Sequence, residues 1–323
     1  MTHATIFNAL EESQTKAICD RDSLRIRFAK KLFPKIAFYS DYNEMIANES
    51  LDLVVVATPT PTHHVVVSSI IKSKPNVSLL VEKPLAVDYQ HAKDMVALGK
   101  KSRGILSVGY QKRFRGTFRK AKELLQEGAI GEPLFFKGSF FTSGLAKRQK
   151  GWRFERGTGG VTRDFGPHLF DLLLWFFGEP TSFRSHSFSV ISSDVEDSIH
   201  SEVSYHGGLR GTIDVSWVMP EYKSQELKID VEGTQGSLQV TEDKLILQTK
   251  YGHNSYSPPT TRTFYFDELT PPVTFLFSDP EYTLQNKNLL WCIKSRNIPE
   301  QTFETAMQVN WFIDKILDSA LPD

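Results

Sequence analysis

The sequence predicts an α/β protein in two parts: a parallel sheet wound with helices, then an α+β domain whose sheet is mainly antiparallel. Three observations carry this. Up to about Gly109, short apolar runs alternate with longer amphipathic ones, the rhythm of strand–helix–strand units. Within that rhythm, residues 51–57 (LDLVVVA) form a nearly unbroken β-branched run, the pattern of a strand buried on both faces. After Gly109 the runs instead alternate polar with apolar residues, as in an antiparallel sheet with one covered face. At 323 residues the chain is also longer than one hydrophobic core usually serves.

Taken in order, a helix-like opening segment leads to a strand at 15–19, a helix at 23–32, a strand at 36–39 and a helix at 42–47. The run 51–57 follows, then helix 63–72, strand 78–82, helix 87–101 and strand 105–109. Residues 114–127 read as an amphipathic helix stopped by Gly128 and Gly131. Strands are expected at 134–142, 182–190, 198–205, 211–218, 226–232 and 237–240, with one long helix over 164–177. Residues 251–272, rich in Ser, Thr and Pro, read as an exposed loop, and a helix over 303–319 closes the chain. The expected boundary places a first domain at 1–112 and a second at 113–323.

Thirty-eight basic and 38 acidic side chains give a formal net charge of zero, so no polyanionic partner such as nucleic acid is expected. The two cysteines, Cys19 and Cys292, form no CxxC pair, which argues against a disulfide framework or structural zinc and for a reducing, cytoplasmic setting. The first ten residues have no signal-peptide pattern, and no apolar run approaches the roughly 18 residues of a membrane helix. No membrane partner is expected.

A parallel sheet that binds a dinucleotide normally opens with an apolar strand and a GxGxxG turn, which seats the pyrophosphate on a helix N-terminus. Here Met1 leads almost directly into a helix, and the strand at 15–19 ends in Asp20, where the acid that binds the adenosine ribose belongs. The expectation is a Rossmann-like sheet incomplete at its start, lacking its central first strand, with one edge of each neighbouring strand left unpaired. The other reading is a sheet that simply begins with 15–19.

The chemistry-bearing segments lie at strand ends. Val54-Val55-Val56-Ala57-Thr58-Pro59 and Leu80-Val81-Glu82-Lys83-Pro84 each run off a strand at the carboxyl edge, where open α/β sheets bind ligands. Further along come Gly109-Tyr110-Gln111-Lys112-Arg113, Gly151-Trp152-Arg153-Phe154 and Gly159-Gly160-Val161-Thr162-Arg163-Asp164-Phe165-Gly166-Pro167-His168-Leu169-Phe170-Asp171. In this order and spacing the segments resemble the Gfo/Idh/MocA family, which contains glucose–fructose oxidoreductase and inositol dehydrogenase. The resemblance covers nearly the whole chain and departs from the family pattern at the glycine loop.

The resemblance implies an NAD(P)-dependent oxidoreductase that passes a hydride between nicotinamide and a hydroxyl of a sugar, polyol or nucleotide-sugar. It implies a homodimer or homotetramer, and NAD as cofactor with NADP possible. His168 is the implied base, with an imidazole that titrates near working pH. Asp164, four residues earlier on the expected helix, is its partner or a substrate ligand, and Lys83 is a donor to the reacting oxygen. Asp171 is the alternate for Asp164. Asp20, Arg21, Ala57, Thr58, Pro59, His63, Glu82 and Lys83 are the implied cofactor contacts, and Arg113, Trp152 and Arg153 the substrate contacts. Bland readings stand beside these: Asp20 as a turn residue, Asp164 as a helix cap, His168 as a core histidine, Trp152 as structural. His63 and His64 are adjacent on a helix and do not face one point, so no metal site is expected. The alternative function is a sugar-binding or regulatory relative, catalytically impaired by loss of the phosphate-binding loop.

Overall fold

Aspartates open several helices of the N-terminal half, as their side chains dictate. In the computed structural model, which describes residues 1–144, 151–250, 259–273 and 275–322, Asp22, Asp41 and Asp88 each accept backbone N–H groups of the helix that follows. The elements of this half are α1 (Thr2–Ala9), β1 (Ala17–Cys19), α2 (Ser23–Leu32), β2 (Ala37–Tyr39), α3 (Tyr42–Asn48), β3 (Leu53–Val56), α4 (His63–Ser73), β4 (Ser78–Val81), α5 (Tyr89–Gly99) and β5 (Leu106–Val108). Then come α6 (Gly116–Gln126), β6 (Pro133–Phe141), α7 (Val161–Asp164), α8 (Pro167–Phe177), β7 (Ser182–Phe188), β8 (Ser198–Ser204), β9 (Arg210–Ser216), β10 (Glu226–Gly233), β11 (Gly236–Thr241), β12 (Lys244–Thr249), β13 (Thr260–Tyr265) and α9 (Phe266–Leu269). The chain ends with α10 (Pro280–Ser295), α11 (Phe303–Asp318) and β14 (Ala320–Pro322).

Two compact units result: Met1–Gln111 with Val273–Met307, and Lys112–Pro272 with Gln308–Asp323. The sequence reading assigned 273–307 to the second domain; in the structure this segment returns to the first. Its apolar side chains explain why, since Leu289 of α10 is buried with Ile6, Phe7 and Leu10 around Leu80 of β4.

The strands of the first unit are all parallel and lie in two pieces. β1 pairs with β2, and β3, β4 and β5 form a separate three-stranded sheet. Among the described residues no ladder joins β1 to β3. Central β4 is buried along its whole length. The run expected to be buried on both faces, β3, is an edge strand in this sheet, and only Val54 and Val56 are fully buried. Its sequence is as apolar as that of β4; its position at the edge makes the difference.

The second unit is built on one nine-stranded sheet, ordered β13-β12-β11-β10-β6-β9-β8-β7-β14. Its pairs are antiparallel except β6–β9 and β7–β14. The alternation of the sequence sends Leu227, Ile229 and Val231 of β10 into the core and leaves Lys228 and Asp230 on the other face. Gly138 in β6 lets α8 approach: a Cβ there would stand 3.1 Å from Leu169.

Three sequence expectations change here. The loop expected over 251–272 contains β13 and α9, because Thr261, Thr263 and Phe264 pair with β12 in register; residues 251–258 lie outside the described ones. Strand β12 and helix α10 were not anticipated. The single helix expected over 164–177 is two, α7 and α8. Pro167 has no N–H to offer the carbonyl of Arg163, and the amide of Gly166 bonds back to Val161 instead. Asp164 and His168 therefore sit on either side of a helix interruption, not on one continuous helix. Among the described residues no helix is long and apolar enough to cross a membrane.

Candidate active site

Two sets of expected site residues lie in different units. In the first unit, β4 runs directly into Glu82, Lys83 and Pro84, with a cis peptide between the last two. Glu82 Oε1 is 2.9 Å from Nε2 of His3, and Oε2 accepts the Lys83 amide at 3.2 Å. His3 lies on α1 with its other ring nitrogen 3.0 Å from Asn286 Oδ1 of α10, and its ring is edge-on to Tyr282. Burial pushes the Glu82 carboxyl up, but the His3 hydrogen bond and the charges of His3 and Lys83 outweigh it and hold the group below its ordinary value. A Cβ at Gly109 would come within 3.2 Å of Glu82 Oε2, so glycine leaves room beside the carboxylate.

Strand β3 delivers Ala57, Thr58 and Pro59, all exposed. The Thr62 hydroxyl is 2.7 Å from the Pro59 carbonyl and 2.8 Å from Thr58 Oγ1, which closes the turn into α4. His63, expected among the cofactor contacts, is only 1% exposed. Its Nδ1 lies 3.1 Å from the carbonyl of Pro84 and 3.3 Å from that of Leu85, and its Nε2 lies 2.9 Å from the carbonyl of Thr58. Burial drives its pKa below the ordinary value, against those carbonyls and the Glu82 charge. At the end of β1, Asp20 uses Oδ1 to accept the Asp22 amide at 2.8 Å, while Oδ2 is 3.6 Å from Arg25. One oxygen thus serves the turn. The next residue, Arg21, is exposed.

In the second unit, the N-terminus of α7 is built on Glu196. Its Oε1 accepts the Thr162 amide at 3.0 Å, and its backbone carbonyl accepts that of Val161. Gly160 stands at φ 100°, and a Cβ there would collide with the Glu196 carboxylate. Burial raises the Glu196 pKa against these hydrogen bonds. Asp164 on α7 is buried, and its Oδ2 accepts Nε of Arg153 at 2.7 Å. The Arg153 guanidinium lies over the Trp152 ring at 4.9 Å, so of these two expected substrate contacts Arg153 meets Asp164 and Trp152 packs on Arg153. His168, in the first turn of α8, is 8% exposed and edge-on to Phe140. Asp171 has a different surrounding: Arg113 grips both its oxygens, at 2.9 and 2.6 Å, and stacks on Trp175. Arg113, expected at the substrate, has its guanidinium fork committed to Asp171 inside the unit.

Sequence reasoning missed His3, Glu196 and Asp197. Asp197 is fully buried and accepts the amides of Val190, Ile191 and Ser192, the Ser192 hydroxyl and Nε1 of Trp217. Burial raises its carboxyl, but these donors more than offset that and hold it below the ordinary range. Trp217 in turn packs on Phe154, the residue after Arg153. The adjacent pair Glu196-Asp197 ahead of an alternating strand was the one available signal. Among the described residues no group of three His, Cys, Asp or Glu is placed to hold a metal ion.

Residues 1–110 match a family model described as an oxidoreductase family with an NAD-binding Rossmann fold, and residues 118–239 match the GFO/IDH/MocA C-terminal domain. Among curated relatives, scyllo-inositol 2-dehydrogenase (NAD(+)) of Bacillus subtilis is 27% identical over 69% of this chain and 65% of that protein. D-apiose dehydrogenase of Paraburkholderia graminis is 26% identical over 75% of this chain and 64% of that one. An uncharacterized oxidoreductase of Schizosaccharomyces pombe is 33% identical over 48% and 41%. The matches thus cover less than two thirds of these relatives' lengths. Among solved structures, levoglucosan dehydrogenase in complex with NADH and levoglucosan superposes with a TM-score of 0.86 at 20% identity, over 98% of this chain and 92% of that one. The WlbA dehydrogenase of Bordetella pertussis, in complex with NADH and UDP-GlcNAcA, gives 0.81 at 18%, over 98% and 91%.

Proposed function

Because this chain belongs to the Gfo/Idh/MocA oxidoreductase family, with an NAD-binding Rossmann-fold first domain, we propose that it moves a hydride between NAD and a hydroxyl-bearing carbon of a sugar, polyol or nucleotide-sugar. The observation that carries this reading is the Glu82-Lys83-Pro84 turn, held at the carboxyl end of the strand buried along its whole length. The relatives named for inositol, apiose and levoglucosan support the substrate class.

The residues present fit the cofactor. Exposed Ala57, Thr58 and Pro59 line one turn at the sheet edge, and Glu82 is kept ionised beside Gly109. When bound, NAD supplies the nicotinamide carbon that accepts the hydride. Glu82 would hold the nicotinamide ribose through hydrogen bonds to its carboxylate, and Asp20 would hold the adenosine ribose in the same way. A carboxylate at Asp20 repels a 2′-phosphate and favours NAD, while exposed Arg21 keeps NADP within reach. The Lys83 ammonium donates to the reacting oxygen and stabilises the charge that develops there. His168 takes the hydroxyl proton as the carbon–hydrogen bond breaks. Asp164, already paired with Arg153, orients substrate hydroxyls, with Trp152 stacked on Arg153, and Arg113 supports them by holding Asp171.

The test is NADH production by the chain with NAD and a panel of polyols, sugars and nucleotide-sugars. Lys83→Ala and His168→Ala should each lower kcat by about a hundredfold or more. Near-normal turnover in both removes the mechanism, and no turnover of any panel member by the unaltered chain removes the function. Family membership supports a dimer or tetramer, to be checked by light scattering in solution.

A further inference from the structure

The buried imidazole of His63 has no nitrogen left over for a ligand. Nδ1 faces the carbonyls of Pro84 and Leu85, and Nε2 faces that of Thr58. All three partners are acceptors, whereas a neutral imidazole donates from one nitrogen only. A doubly protonated ring would satisfy both sides, but burial opposes that charge; Glu82 is the charged group that favours it. The neutral ring therefore serves either the turn after Lys83 or the turn after β3, through its choice of tautomer. Nδ1 faces two carbonyls, at 3.1 and 3.3 Å, and Nε2 faces one, at 2.9 Å, so a proton on Nδ1 serves two of the three acceptors. On the other flank of Lys83, His3 fixes Glu82.

We infer that His63 is a positioning residue, which sets the presentation of Lys83 by holding the Pro84 and Leu85 carbonyls through Nδ1–H. It touches neither cofactor nor substrate. The inference rests on the role proposed for Lys83, and it adds a side chain that acts through the backbone of the neighbouring turn.

Asparagine and glutamine separate the two sides of the ring. His63→Asn puts an amide nitrogen near the place of Nδ1, and His63→Gln puts one near the place of Nε2. Two quantities are read in each variant: the acylation rate of the Lys83 amine, followed by peptide mass spectrometry, and the kcat and KM for NAD. For Gln, the Lys83 acylation rate should change about fivefold or more, and kcat should fall about tenfold with KM within about threefold. Asn should retain the larger share of both. Nitrogen NMR of the histidine rings in the unaltered chain should show His63 neutral at pH 7, protonated on Nδ1. A role confined to stability would instead lower the melting temperature and leave the kcat of the folded fraction unchanged. Equal Lys83 acylation rates in the two variants, or a proton on Nε2, overturns the inference. Absence of hydride transfer in the unaltered chain would defeat the proposed reaction, while Lys83 acylation and the ring tautomer still test the positioning role, so the two readings fail separately.

Discussion

At the edge of the first unit's sheet, side chains are held by backbone: His63 against three carbonyls, Asp20 on an amide of its own turn, Glu82 on the Lys83 amide with His3 behind it. In the second unit the comparable work falls to carboxylate–guanidinium pairs, Asp171 with Arg113 and Asp164 with Arg153. The first arrangement depends on protonation of a few titratable groups. The second depends on keeping both members of a pair, and the two pairs differ sharply. The Arg113 side chain is 6% exposed and grips both oxygens of Asp171, whereas that of Arg153 is 48% exposed. The Asp171 carboxylate is gripped on both oxygens by an arginine that is itself buried, whereas the arginine on Asp164 lies half in solvent. The proposed substrate role rests on Asp164, with Asp171 as its alternate, and the two pairs can be tested separately.

The largest effect that would sharpen the contrast is expected from Arg113→Ala. It removes the guanidinium that grips both oxygens of the buried Asp171 carboxylate and should cost about 3–5 kcal/mol in urea unfolding followed by tryptophan fluorescence. A loss below about 1 kcal/mol would place Asp171 with the exposed pairs.

Acid should next separate the units. His63 has its folded pKa below 6.5, so as pH falls below 6.5 the unfolded chain takes up a proton that the folded ring resists, and stability drops. The Glu82 pKa is also lowered, so its contribution is complete above about 4.5, the unfolded value, and is lost as pH falls through the lower folded one. Both effects weaken the first unit toward acid. In the second unit the raised Glu196 pKa works the other way: the folded form binds its proton more tightly, which adds stability as pH falls through the folded pKa toward 4.5. Asp197, lowered, opposes it. Hydrogen exchange from pH 7 to 5 should therefore show the first unit opening more than the second, and His63→Gln should flatten that slope. The same slope in the variant would assign it to another group.

Arg153→Ala should cost only about 1 kcal/mol or less, its guanidinium being half exposed, while lowering turnover through Asp164. Turnover unchanged beside a small stability loss would return Asp164 to a capping role. The smallest effect belongs to the His200–Asp214 pair at 2.7 Å on the far face of the large sheet. His200→Ala should cost well under about 1 kcal/mol at low salt and less at high salt, since salt screens a partly exposed pair.

Much of the molecule was legible in residue order. Period-two and helical patterning located most elements to within a few residues, since that periodicity is local. The strand-end turns at Thr58 and Lys83, and the segment from Gly159 to Asp171, carried the family resemblance without any knowledge of their neighbours. What folding alone settled was partnership. Arg113 finds Asp171 across 58 positions, and His3 meets Glu82 across 79 and Asn286 across 283. Equally apolar strands became an edge in β3 and a center in β4, and residues 273–307 went back to the first unit. Spacing along a chain reports which side chains share a face of one element; which element packs beside it depends on burial and charge summed over the whole fold, and no local window contains that sum.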